Sequence, residues 1–144
     1  MATNNALVWR DMQSKLAAMG GVSQAVIGEP RSGVQSGMVA IIPQDGEIDG
    51  TVLNSWREVH AVTLRRYEAV EQQPGEDIEL RLDEWRSEIL EDVFGDFDLG
   101  GTIAHPLPAQ MNWLYDSDEI GSHDFRILDV FVVYRIDPSG TFSA

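Results

Sequence analysis

The chain has 144 residues, 43% of them hydrophobic and 24% charged, which is the ordinary balance of a globular domain and argues against long disordered regions. Its 24 acidic residues outnumber the 10 basic ones and give a formal net charge of -14. This charge disfavours DNA binding, because Lys and Arg are needed to displace counterions from the phosphate backbone. The sequence has no cysteine, which excludes disulfides, thiolate chemistry and cysteine-based zinc sites.

The N-terminal third combines one helical pattern with a loop-rich region. Apolar residues from Asn5 to Met19 recur close to the spacing of one helix face, and Gly20-Gly21 supplies a stop signal. The next segment, Val22 to Ser55, is rich in Gly and Ser and is interrupted by Pro30 and Pro43. Its two apolar pieces predict two short strands between long loops: Val26-Ile27 and Met38–Ile42.

The middle of the chain has a strand pattern followed by the clearest helix pattern. From Trp56 to Val70 apolar and polar residues alternate, which predicts a strand with one packed face. Gln72–Gly75 breaks this pattern. A helix is predicted from Glu76 to Phe94, because its apolar residues stand three or four positions apart and form one stripe: Ile78, Leu82, Trp85, Ile89 and Val93.

The C-terminal third predicts strands. Thr102–His105 and Gln110–Tyr115 have the pattern of short strands, and Asp116–Gly121 that of an acidic turn. The run from Phe125 to Ile136 is long for a strand and apolar on both faces near its middle. We expect it to be central in the sheet or covered by a neighbouring subunit. Residues 137–144 lack periodicity and are expected to form a flexible tail.

Strands on both sides of one strong helix, with hairpin-scale spacing at the C-terminal end, predict an α+β fold. We expect a largely antiparallel sheet of about four to six strands flanked by two helices. A doubly wound fold would require more alternation of strands and helices. The length predicts a single domain over residues 1–144.

Sequence patterns of catalytic and metal sites fail their spacing tests. His60, His105 and His123 lie on separate predicted elements, without the short spacing of a metal site. Asp116–Gly121 resembles the start of a calcium loop, but apolar residues stand at two positions where oxygen ligands are required. Gly28–Gly33 lacks the Lys-Ser/Thr ending of a phosphate loop. We therefore expect no catalytic residues, no metal and no cofactor, and hence no enzyme.

Apolar residues outside the predicted core identify a candidate oligomer interface. Leu80 and Phe94 project nearly opposite to the stripe of the second helix, among acidic residues. Phe131 and Val133 lie on the outer face of the last strand. An alternative is that Leu80 meets a loop of its own chain and that Phe94 marks the frayed end of the helix. We expect self-association through Leu80 or Phe94 together with the outer face of the Phe125–Ile136 strand.

The chain places an N-terminal helix and a Gly/Pro loop with short strands before four further segments: Glu58–Tyr67, Ile78–Phe94, Leu99–Pro106 and Ile127–Ile136. This order resembles the tail-terminator proteins of long-tailed bacteriophages, and the resemblance covers most of the chain. It implies a ring, typically a hexamer, that caps the tail tube, stops its polymerisation and joins tail to head, without enzymatic activity or a cofactor. The implied partners are further copies of the chain, the tail tube protein and the head-tail connector proteins.

The resemblance also implies a virion protein that is assembled in the cytoplasm of the bacterial host. DNA would pass through the channel of the ring without specific binding, because acidic residues in the lumen repel phosphates. No apolar run approaches the roughly 20 residues that span a bilayer, so we expect no membrane association.

Three other classes of protein stay open. Another neck or tail-completion component would share the phage setting, and ring stoichiometry and docking surface would distinguish it. A small-ligand-binding module or enzyme would need a pocket with convergent polar groups. A regulatory protein unrelated to phages is the third class.

Overall fold

The computed structural model of the chain describes residues 5–30, 33–49, 57–71, 73–94 and 110–136. In chain order these residues form α1 (Asn5–Ala17), β1 (Gln24–Ile27), β2 (Met38–Asp49), β3 (Arg57–Ala69), α2 (Gly75–Asp92), β4 (Gln110–Ile120) and β5 (His123–Ile136). The strands form one sheet in the order β1-β2-β3-β5-β4. β1 and β2 run parallel, and the other neighbouring pairs are antiparallel. The predicted α+β class is therefore confirmed.

Both helices cover the same face of the sheet. Leu64 on β3 lies between Ile41 on β2 and Val130 on β5. These three side chains are fully buried together with Met12 of α1 and Leu82 of α2 in one core cluster. We call this side the helix face. The opposite side, which carries the alternate strand residues, is called the open face.

The open face is closed at one end and accessible at the other. At the closed end, Tyr67 of β3 and Phe125 and Ile127 of β5 are buried in a second, smaller apolar cluster, in which the rings of Tyr67 and Phe125 meet edge to face with centroids 6.1 Å apart. Toward the other end of the sheet, Phe131 and Val133 are half-buried. The core therefore fills the helix face, and a partly exposed apolar surface remains on the open face.

Helix α2 confirms the predicted apolar stripe, and its stripe residues face the sheet. The buried residues of the helix are Ile78, Leu82, Trp85 and Ile89. Its first turn is acidic, which suits the partial positive charge of a helix N-terminus. The helix ends at Asp92, earlier than the predicted end at Phe94, and α1 likewise ends at Ala17 instead of Met19.

Strand β2 is much longer than the sequence predicted. It continues from Ile42 to Asp49 through Pro43, although a break was expected there. β1 pairs with β2 only as far as Ile41, so beyond this point β2 has a single neighbour among the described strands. A proline is tolerated at such an edge, because one side of the strand makes no ladder hydrogen bonds. The register shifts between Gln44 and Glu47, which marks a β-bulge.

The hairpin between β4 and β5 corrects the predicted acidic turn. The residues expected in that turn, up to Ile120, continue β4, and the connection to β5 is only Gly121-Ser122. Both residues have positive φ, 61° and 86°, as a type I′ turn requires. The acidic side chains stay within β4 because they are exposed there, and exposed charges do not disrupt an edge strand.

β5 lies between β3 and β4, which confirms the prediction that the last strand is central. β4 is the outermost strand, and no strand of the described residues pairs with its outer side. The predicted strand Thr102–His105 and the predicted flexible tail, residues 137–144, lie outside the described residues.

Candidate assembly surfaces

The outer side of α2 bears an exposed apolar side chain in acidic surroundings. Leu80 is 61% exposed, so the alternative that a loop of its own chain covers it is wrong. One helical turn away on either side, which brings side chains onto the same surface, stand Glu76 and Glu84, both exposed. Leu80 is therefore exposed among acidic side chains, and its role in an oligomer interface stays a prediction.

Phe94 occupies a different place from the one that the helical wheel predicts. Its side chain is fully buried in the main core cluster, so its assignment to an oligomer interface is corrected. The reason is that α2 ends at Asp92 and the chain turns at Val93 and Phe94. Past the end of a helix, the wheel no longer determines the direction of a side chain.

A cleft opens on the sheet beside the β2 bulge. It has a volume of about 340 Å³ and is lined by Asp45, Gly46, Glu47, Val59, His60, Ala61 and Val133. A Cβ atom at Gly46 would come within 2.6 Å of the carbonyl oxygen of Val59, so a side chain there would force β2 and β3 apart. The cleft includes Val133 from the predicted interface, whereas Phe131 lies one open-face position away on β5. Sequence reasoning missed the other lining residues, because a bulge has no signal in hydrophobic alternation.

Most arginines with described side chains form ion pairs within the chain, with N···O distances from 2.6 to 3.4 Å: Arg65–Asp129, Arg66–Glu68, Arg81–Glu68, Arg86–Asp83 and Arg126–Glu79. The hydrogen bond from Arg65 to Asp129 raises the pKa of Arg65. Arg10 and Arg135 make no ion pair in the part of the chain that the structure describes. Arg135 lies on the open face, where it pairs across the ladder with Val59.

A buried charge cluster joins α2 to β3 and to the loop before β2. Glu68 accepts hydrogen bonds from Arg81 at 2.7 Å, from Ser36 at 2.7 Å and from Arg66 at 3.4 Å. Desolvation lowers the pKa of Arg66, and the neighbouring Glu68 opposes that change. The Arg66 guanidinium lies 5.7 Å from the ring centre of Trp85. Glu68 therefore joins these elements, whereas the buried Nε of Arg66 and the indole nitrogen of Trp85 have no hydrogen-bond partner among the described residues.

A second seam of aromatic and charged side chains joins α2 to β4. Arg86 lies over the ring of Trp113 at 4.1 Å. Arg126 lies over Tyr115 at 5.4 Å and donates a hydrogen bond to Glu79 at 2.6 Å. Desolvation by the surrounding groups raises the pKa of Tyr115. Trp113 is still 47% exposed, so this seam leaves an aromatic surface at the outer edge of the sheet.

The two histidines within the described residues belong to separate local pairs. His60 Nε2 lies 2.7 Å from Glu58, and its ring stacks on Tyr134, whereas His123 lies 3.0 Å from Glu71. Among the described residues no group of three or more His, Asp or Glu side chains is arranged to hold a metal ion. His105 lies outside the described residues. Nor is either described helix long and apolar enough to cross a membrane.

Comparison with known proteins adds information on the fold. No protein-family model matches the chain, and no curated protein matches it in sequence. A solved structure described as the virion of native gene transfer agent (GTA) particle contains a chain of similar fold, with a TM-score of 0.51 and 13% sequence identity. The match covers 92% of this chain and 92% of that chain. At this identity the similarity establishes a shared fold.

Proposed function

We propose that this chain is a structural subunit of a tailed, phage-like virion and that it acts as a tail terminator. In this role it forms a ring, expected to be a hexamer, that caps the tail tube, stops its polymerisation and joins the tail to the head. The observation that carries the proposal is the fold similarity to a chain of a gene transfer agent virion, which extends over 92% of both chains.

The surfaces described above support an assembling role. Leu80 is exposed on α2, and Phe131 and Val133 are only half-buried on the central strand β5. Apolar side chains that stay at least partly accessible on two different sides of a small domain are suited to contacts with neighbouring subunits. The buried carboxylate of Glu68, in contrast, joins elements of the chain to one another, which favours a structural role for that cluster.

The negative charge of the chain suits a channel through which DNA passes, and it does not suit a site that binds DNA. With a formal charge of -14, the subunits of a ring repel phosphate groups that pass through the lumen. DNA would then move through the channel without specific contacts. The remaining partners in this proposal are the tail tube protein and the head-tail connector proteins.

Native mass spectrometry and negative-stain electron microscopy of the purified protein test the ring directly. We expect a closed ring, with six subunits as the main species. A protein that stays monomeric at all accessible concentrations would contradict the proposal.

A tube-polymerisation assay separates a terminator from another neck component. Adding the protein to the tail tube protein of the same particle should stop tube growth and leave rings at tube ends. A ring that binds the head-tail connector without arresting tube growth would identify the alternative, a neck or connector protein.

A further inference from the structure

We propose that helix α1 of a second copy of this chain occupies the open-face cleft, with Leu7 against the apolar part of the cleft and Arg10 beside the carboxylates that line it. This inference rests on the proposed self-assembling function and names the two surfaces that meet. The contact joins the outer side of α1 in one copy to the open face of the next copy.

The lining of the cleft determines which group can enter it. Val59, Ala61 and Val133 form its apolar part, and Asp45 and Glu47 contribute carboxylates. Neither carboxylate forms an ion pair within the described residues. An acidic group would be repelled, and a purely apolar one would remove water from the carboxylates without supplying a counterion. The group that fits therefore combines apolar surface with a positive charge.

Few basic side chains of the chain remain to supply that charge. Of the lysine and arginine side chains that the structure describes, all but Arg10 and Arg135 form ion pairs within the chain. Arg135 lies on the face of the cleft itself, where Val59 stands between it and Glu47 in one cross-strand row. Arg10 is exposed on α1, so it is the basic side chain that a second copy can bring to the cleft.

Leu7 supplies the apolar group at a suitable distance from Arg10. It is 51% exposed and stands three positions before Arg10, which places the two side chains on the same side of α1 with Cβ atoms roughly 5 to 6 Å apart. In the cleft, Glu47 and Val59 are cross-strand partners on β2 and β3, and such partners have Cβ atoms about 4.5 to 5.5 Å apart. The spacing of the leucine and the arginine therefore matches that of an apolar group and a carboxylate in the cleft.

The two side chains of α1 have different parts in the contact. Burial of Leu7 favours association, because apolar surface is removed from water. The ion pair of Arg10 with a carboxylate of the neighbour mainly sets the orientation of the two copies. Both side chains stand on a helix, so they enter the cleft without the entropy cost of ordering a loop.

The positions of the two surfaces favour a ring over a closed dimer. Val8, Met12 and Leu16 of α1 are buried in the core on the helix face, so the exposed Leu7 and Arg10 point away from the sheet on that side. The cleft opens on the opposite face of the same sheet. Two copies therefore cannot exchange both contacts at once, and a joined pair retains one unoccupied α1 surface and one unoccupied cleft. Such a heterologous contact adds further copies until the ring closes.

Exchanging the charges of the two surfaces tests the contact. Arg10→Glu places a carboxylate against an acidic cleft, and a basic-cleft variant with Asp45→Arg and Glu47→Arg places Arg10 against positive charge. Each variant alone should require at least tenfold more protein for half-assembly. An equimolar mixture should restore assembly with both variants in equal amounts, because every contact then joins opposite charges. Native mass spectrometry measures both results.

The charge variants have a matched control. Arg10, Asp45 and Glu47 are exposed, so their replacement should leave the fold intact, which circular dichroism checks. A variant with Ser87→Glu and Leu90→Glu, at two exposed positions of α2, has the same net charge as the Arg10→Glu variant. It should assemble like the wild-type protein, because neither position belongs to the proposed contact.

Cysteine cross-linking gives a second test that does not depend on introducing a charge. The sequence has no cysteine, so a variant with both Leu7→Cys and Ala61→Cys carries only the two introduced thiols. Mild oxidation should produce a ladder of covalent oligomers up to the ring size, because a disulfide requires Cβ atoms about 4 Å apart. A variant with Leu90→Cys and Ala61→Cys should stay uncross-linked.

The inference is overturned if the Arg10→Glu and basic-cleft variants each form wild-type rings, if their mixture does not assemble, or if the Leu7 and Ala61 thiols do not cross-link. A basic-cleft variant that forms normal rings but no longer binds the tail tube protein would show that another protein occupies the cleft, which also overturns it. In these cases a wild-type ring leaves the proposed function standing, whereas a monomeric wild-type protein overturns both.

Discussion

Glu68 is the residue on which the buried charges depend. It is 2% exposed and neutralises Arg66, which is equally buried. We predict that Glu68→Gln lowers the free energy of unfolding by about 3 kcal/mol, because removing one partner of a buried pair leaves the other charge uncompensated. Urea denaturation followed by circular dichroism measures the change.

Glu79→Gln is the matched control for this prediction. Glu79 accepts a 2.6 Å hydrogen bond from Arg126, but its side chain is 47% exposed. The same substitution at Glu79 should therefore lower the free energy of unfolding by less than about 1 kcal/mol. Equal losses at both positions would show that burial does not set the strength of the Glu68 cluster.

Ser122 has a backbone conformation that is unfavourable for any residue with a side chain. Its φ of 86° is in the left-handed region, where a non-glycine residue costs about 1 to 2 kcal/mol. Ser122→Gly should raise the stability by about 0.5 to 1 kcal/mol, since the added freedom of glycine in the unfolded chain cancels part of the gain.

Ser87→Gly is the matched control, because it makes the same serine-to-glycine substitution within a helix. Ser87 is exposed on α2, and glycine there should destabilise the protein by roughly 0.5 kcal/mol. Thermal unfolding of both variants tests the prediction, because the melting temperature should rise for Ser122→Gly and fall for Ser87→Gly. A lower melting temperature for the Ser122→Gly variant would contradict the assigned turn.

At the scale of elements, the sequence predicted the structure well where one hydrophobic pattern extends over many residues. The stripe of α2 and the central position of β5 were both predictable, because each rests on many apolar residues in one pattern. Phe94 was misplaced because the pattern does not show where a helix ends, and α2 ends at Asp92. The acidic residues of β4 suggested a turn, although an exposed edge strand accommodates them equally well.

The candidate assembly surfaces were predictable only in part. Leu80 and Val133 could be found from the wheel and from strand alternation, since each is apolar on the side away from its stripe or core. The cleft depends on a bulge between Gln44 and Glu47, which shifts the register of two strands distant in sequence. The absence of an ion pair at Arg135 within the described residues likewise depends on which carboxylates the folded chain brings to the other arginines. Local sequence contains neither fact.

At the scale of the whole molecule, the charge of -14 predicts how assembly responds to salt. Long-range repulsion between subunits is screened over about 8 to 10 Å at physiological ionic strength, whereas apolar contacts are not weakened by salt. Since most described arginines already pair within the chain, they are not available to hold subunits together. Raising the salt concentration should therefore favour the ring over free subunits.

Sedimentation across a salt series at fixed protein concentration measures this response. The large species should increase with ionic strength. Its loss as salt rises would show that exposed ion pairs between subunits, and not apolar burial, hold the assembly together.

The outermost strand β4 has a consequence for the time that a subunit spends alone. Its outer side presents backbone groups that no described strand pairs, and Trp113 and Leu114 are exposed on its two faces. Such an edge invites pairing with any other extended chain. The exposed carboxylates of Asp116, Asp118 and Glu119 on the same strand discourage that pairing by repulsion. In the proposed assembly, the acidity of β4 would therefore act against unintended edge-to-edge pairing between copies of the chain.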